Sequence, residues 1–262
     1  VRPLGSGRFK DAFYVLAAPD SGVAYEFVVA LPFYDDNNRI PPGSISEEEI
    51  TTLKTLSQLQ GAVVVSLGHA EKDKCLISTY GGRNLRYLMD SKLFDDTAKR
   101  LLLRAAVAQY VRLWFWMGGY QFIRDPTPDN VTALDLRLNL FDFGSPTANV
   151  SDTDLGNILK LFFSDTLLRK EWHFGDLTKD KSFILDGFFD AFLAVKNATP
   201  EERRVWQNIA GQMLHEIVED KTNNLTYEQR QLMRTYLNRY SITPSYVGSR
   251  GVRLYEGKWG AL

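Results

Sequence analysis

Ile123-Arg124-Asp125-Pro126-Thr127-Pro128-Asp129-Asn130 and, twelve residues beyond Asn130, Asp142-Phe143-Gly144 are the two stretches on which the reading of this chain turns. They set aspartates and an asparagine amide in a fixed order on either side of a short segment. That segment, Val131 to Phe141, reads as a small hairpin. Immediately upstream, Asp95 to Met117 is apolar at helical spacing and predicts one long helix. Downstream the pattern stays helical over Asp154 to Phe163, Phe183 to Val195, Glu201 to Val218 and Thr226 to Tyr240, the last opened by a Thr226/Gln229 capping box. A tail from Ile242 is rich in glycine, serine and aromatics.

The first eighty residues have a different texture. Ala12 to Ala17 and Tyr25 to Phe33 flank a Pro19-Asp20-Ser21-Gly22 turn, and Ala62 to Leu67 and Cys75 to Thr79 follow as further strands. Between them, Ser46-Glu47-Glu48-Glu49 leads into Ile50, Leu53, Leu56 and Leu59, a capped helix with one apolar face. The expected fold class is α+β, a small antiparallel sheet with one helix followed by a larger, mainly helical part. Gly81-Gly82 is the natural hinge. No internal repeat or low-complexity segment interrupts this layout.

Composition excludes little but points in one direction. At 262 residues with 44% hydrophobic content the chain can bury a sizeable core. Its 31 basic and 32 acidic residues nearly cancel, so nothing in the total charge favours nucleic acid or an anionic membrane. The longest apolar runs, such as Val111 to Met117, are too short to span a bilayer and are broken by Arg112. A single cysteine, Cys75, rules out an internal disulfide framework and a cysteine-rich zinc site. The sequence opens at Val1 with no charged-then-apolar leader, which suggests a domain cut from a longer precursor. His69, His173 and His215 are scattered without metal-ligand spacing. The aromatics Tyr110, Trp114, Phe115, Trp116 and Tyr120 are expected to fill the helical core. Arg203 and Arg204 are expected on a solvated helix face.

Taken together, the two opening stretches resemble the catalytic loop H-R-D-x-K-x-x-N and the D-F-G motif of protein kinases. Leu4-Gly5-Ser6-Gly7-Arg8-Phe9 resembles the family's glycine-rich loop, where missing side chains let the backbone close over ATP phosphates. The resemblance covers roughly residues 1 to 165. It implies one bilobal domain over 1–262, with an N-lobe over about 1–80, a hinge near 79–83 and a C-lobe over about 84–262. It also implies site roles: Asp125 orients the acceptor hydroxyl, Asn130 and Asp142 hold magnesium on the phosphates, and Gly5, Gly7, Glu49 and Thr79 line the nucleotide pocket.

Departures from the family matter as much as the matches. Phe27-Val28-Val29-Ala30-Leu31, ninety-five residues before Asp125, occupies the place of V-A-I-K but carries Ala30 or a neighbour where the phosphate lysine belongs. Lys10, at the third glycine position of the loop, resembles the lysine that with-no-lysine kinases use instead; a solvated strand lysine is the competing reading. Glu48 or Glu49 fits the helix glutamate that pairs with that lysine, and Glu49 equally fits a capping box with Ser46. Thr127 replaces the lysine that neutralises the transferring phosphoryl group, and Ile123 replaces the histidine. After Gly144 the activation segment is nearly deleted and no A-P-E follows.

Val28-Val29-Ala30-Leu31-Pro32-Phe33-Tyr34 and Thr127-Pro128-Asp129-Asn130 are similar to secreted rhoptry-type kinases and pseudokinases of apicomplexan parasites. That likeness implies secretion to a rhoptry, dense granule or vacuole/cyst space, and regulation of another kinase or a host protein. The leading expectation is a pseudokinase acting as a protein-binding or allosteric module. An atypical ATP- and magnesium-dependent kinase using Lys10, or a small-molecule phosphotransferase, are the alternatives.

Overall fold

The computed structural model describes residues 1–6, 10–20, 22–32, 47–57, 66–70, 75–116, 128–134, 137–141, 182–193, 199–219 and 225–239. The architecture is mixed α+β. Strands β1 (Arg2–Ser6), β2 (Lys10–Ala17), β3 (Tyr25–Pro32), β4 (Ser66–Ala70) and β5 (Cys75–Thr79) form one antiparallel sheet in the order β1-β2-β3-β5-β4. The β2–β3 hairpin pairs without a break from Ala17↔Tyr25 to Lys10↔Pro32. Its turn is closed by the Gly22 N–H donating to the Pro19 carbonyl at 2.9 Å, with Gly22 at φ +83°, where a side chain would be strained. Pro3 is tolerated because β1 is an edge strand, where a missing N–H costs no ladder bond. The strand expected over Ala62 to Leu67 is found as Ser66–Ala70, with residues 62–65 outside the described set.

Helix α1 (Glu47–Leu56) buries the face its periodicity foretells: Ile50, Leu53 and Leu56 are 7%, 3% and 0% exposed. Burial of each such side chain is worth ~2 kcal/mol against leaving it in water. The other predicted member of that face, Leu59, lies outside the described residues.

A second, three-stranded antiparallel sheet joins β6 (Arg83–Asn84), β7 (Val131–Leu134) and β8 (Arg137–Leu140) in sequence order. The hairpin expected between the two diagnostic stretches is therefore β7–β8, and β6 was not foreseen. Gly82, just ahead of β6, sits at φ +94°, and a Cβ there would lie 1.9 Å from the Ala133 carbonyl oxygen. The chain after β5 is thus pressed against β7 at a point where only glycine fits.

Helix α2 (Leu85–Asp90) follows at once, its N-cap Asn84 accepting from the Tyr87 N–H at 2.9 Å. Helix α3 (Asp96–Trp116) is the spine of the helical part, with Leu103, Ala106, Val107, Tyr110, Val111 and Leu113 all at 1% exposure or less. It packs on α4 (Ser182–Leu193), where a Cβ on Gly187 would come within 2.3 Å of the Arg104 carbonyl oxygen. Helices α5 (Pro200–Glu219) and α6 (Tyr227–Arg239) complete this group. The capping box at Thr226 forms in both directions: the Thr226 N–H donates to Gln229 Oε1 at 2.9 Å and the Gln229 N–H to Thr226 Oγ1 at 3.2 Å. Tyr110 lies in the core as expected, and Arg203 and Arg204 are exposed. The helix expected over Asp154 to Phe163 lies outside the described residues.

Candidate functional site

Lys10 is the first residue of β2 and Glu49 the third of α1. Their side chains meet across the gap between sheet and helix, with Lys10 Nζ 2.5 Å from Glu49 Oε1. The carboxylate side chain is 8% exposed and the lysine side chain 22%. Lys10 is therefore a half-buried, ion-paired cation and not a solvated strand lysine. Of the two glutamates considered for the helix position, Glu49 makes the contact. A buried carboxylate without a cation is costly, so the pair fixes α1 against the end of the sheet at which β2 begins.

The strand register defines what shares a face with Lys10. Residues directly opposite one another in an antiparallel pair project to the same side, and alternate residues follow. Lys10 is opposite Pro32 and Ala12 opposite Ala30, with Ala30 opposite Leu76 on β5. Pro32 is thus the β3 residue that shares a rung with Lys10, two residues beyond Ala30. Ala12 and Ala30 put only methyl groups next to the cation, and Tyr14 closes the same face farther along, its ring 4.9 Å from that of Tyr80 just past β5. The Tyr14 hydroxyl donates to Glu26 Oε1 at 2.6 Å, and that bond pushes its pKa above the usual phenol value. The face runs from the Lys10 ammonium past Ala12, Ala30 and Leu76 to Val28, Ser78 and Tyr14, whose ring meets that of Tyr80 edge to face.

Thr79 does not belong to this face. It pairs with Phe27, and alternation sends both to the opposite face from Lys10, leaving Ser78 on the Lys10 side. Gly5 pairs with Ala12 after a register shift in β1, with open space around its Cα. Gly7, Asp125, Thr127, Asp142 and the segment after Gly144 lie outside the described residues.

Asn130 ends the short 3-10 turn Pro128–Asn130 that leads into β7 and is 7% exposed. Its carbonyl accepts from the Phe141 N–H at 3.1 Å, so Asn130 and the residue before Asp142 are bonded neighbours. The described residues contain no cluster of three or more histidine, cysteine, aspartate or glutamate side chains fit to hold a metal. Asn130 supplies an amide oxygen, a hard donor suited to magnesium, and Lys10 a cation suited to phosphate.

Among the described residues no helix is long and apolar enough to cross a membrane. No protein-family model matches the chain, and no curated protein matches its sequence.

Proposed function

We propose that this chain is a bilobal, protein-kinase-like domain with a nucleotide cleft and impaired phosphoryl transfer, a pseudokinase that works as a protein-binding or allosteric module. The observation that carries the proposal is the Lys10–Glu49 ion pair. In protein kinases a lysine on the sheet and a glutamate on the following helix pair in this manner and aim the ammonium at the nucleotide phosphates. Here the cation comes from β2 while Pro32 shares its rung on β3, and the next residues along the same face are the small Ala12 and Ala30. The impairment is read from the sequence: Thr127 in place of a cation, and no A-P-E platform. The partner is a protein, another kinase or a host protein, met after secretion. ATP and magnesium are ligands of the cleft, with Asn130 and Asp142 as the metal-holding pair.

A second reading, an atypical ATP- and magnesium-dependent kinase, draws support from the same pair, because Lys10 supplies the cation that transfer needs. A thermal-shift titration with ATP tests the cleft: saturable stabilisation in wild type, lost in Lys10→Ala, is expected. Absence of any shift at millimolar nucleotide sinks it. Incubation with labelled ATP and a mixed protein substrate then separates the two readings. No transfer is expected; transfer abolished by Asp125→Asn and Asp142→Ala selects the enzyme.

A further inference from the structure

The Pro128–Asn130 turn is joined to α2 by a side-chain bond as well as by packing. Arg86 Nη2 lies 2.5 Å from Asp129 Oδ2, both side chains being 34% exposed. Helix α2 is a firm base for that contact, since Leu85 and Met89 are fully buried and Asn84 caps its first turn. Arg86 Nε is buried with no hydrogen-bond partner among the described residues, so the guanidinium has given up part of its hydration to reach Asp129. On the far side of the turn, Phe141 holds the Asn130 carbonyl and Val131 pairs with Leu140. Ion pairs this exposed add little to stability. What the Arg86–Asp129 contact fixes is where the turn sits.

We propose that Arg86 is a positioning residue: by gripping Asp129 it sets the orientation of the adjacent Asn130 toward the divalent cation of a bound nucleotide. Because α2 follows directly on Gly82 and β6, the same grip ties that orientation to the segment beside Tyr80. The inference rests on the nucleotide-cleft reading and adds to it a residue outside the kinase-like motifs. Arg86 acts on Asn130 through the neighbouring Asp129, one step farther out than a group bonded to a metal ligand, whose removal typically changes metal affinity by about tenfold or more.

The test is an ATP thermal-shift titration with and without magnesium on wild type, Arg86→Gln, Arg86→Lys, Asp129→Asn and the exchanged pair Arg86→Asp/Asp129→Arg. Magnesium is expected to tighten ATP binding in wild type, and that gain to fall about tenfold in Arg86→Gln and Asp129→Asn while metal-free binding is unchanged. Arg86→Lys and the exchanged pair recover part of the gain. Should Arg86→Gln fail to fold, Asp129→Asn carries the same comparison, since it removes one charge and little volume. Full retention of the magnesium gain in both single variants overturns the inference, as does an equal loss with and without metal. Wild type that binds ATP equally well in both conditions overturns it and leaves the cleft reading standing; wild type that binds no ATP overturns both.

Discussion

Lys10 and Pro32 face each other across one rung of the β2–β3 hairpin, so a lysine at position 32 would project to the same side of the sheet as Lys10. Lys10→Ala strips Glu49 of a buried partner and is expected to lower stability by about 2 kcal/mol in urea unfolding. On the proposed nucleotide cleft, it should also weaken ATP binding by roughly thirtyfold, the worth of one charge-assisted hydrogen bond. Placing the cation back by Pro32→Lys in the Lys10→Ala background should recover much of both losses, whereas Ala30→Lys in the same background should recover less, being one rung farther away. Equal rescue from both positions would contradict the register. The Gly5-x-Gly7-x-x-Lys10 spacing made Lys10 legible in the sequence, and the apolar run of β3 made a missing lysine legible. Which β3 residue shares a rung with Lys10 was not legible, because that depends on pairing between strands, and the local pattern of Val28 to Pro32 is compatible with more than one register. The face that Thr79 takes was hidden by the same difficulty: one step along a strand reverses the face.

Helices were easier to read than the contacts between them. The periodicity of α1, α3, α4, α5 and α6 gave their extents to within a few residues, and the Thr226/Gln229 capping box needs only local spacing. Strand β1, strand β6 and helix α2 escaped notice because each is short and owes its form to non-local partners or to a single cap. The α3–α4 contact is likewise hidden in sequence. Arg104 grips Asp190 through Nε at 2.5 Å and Nη2 at 2.8 Å, which raises the arginine's pKa, and Tyr236 on α6 donates to the neighbouring Asp186 at 2.6 Å. Beside this network Gly187 permits the helices to touch, so Gly187→Ala is expected to cost about 2–3 kcal/mol by overpacking, measured as a lower urea midpoint at unchanged slope. Between α5 and α6, the Arg234 guanidinium 3.0 Å from Glu219 holds that carboxyl below its usual value of 4.5. A depressed carboxyl pKa stabilises the fold above that value, and the contribution fades as pH falls through the lower, folded one. Glu219→Gln should therefore lower the urea midpoint slightly at neutral pH, and the difference from wild type should vanish in strongly acidic buffer.

At the scale of the molecule, both sheets and the helical group share dependence on the link that runs from β5 through Gly82 into β6 and α2. Gly82→Ala must either rotate out of its positive φ or push β7 away, and about 3 kcal/mol or more of destabilisation is expected in thermal or urea unfolding. The α+β class and the change of texture near residue 80 were visible in the sequence because composition and periodicity are additive along a chain. The ion pair joining β2 to α1 was visible only as two residues with compatible chemistry, thirty-nine positions apart. Its location carries a kinetic corollary. Lys10 opens β2, so the pair fastens α1 to one end of the β2–β3 hairpin and not to its middle. Opening of α1 and fraying of the Lys10↔Pro32 end of the hairpin therefore belong to one cooperative event with one rate.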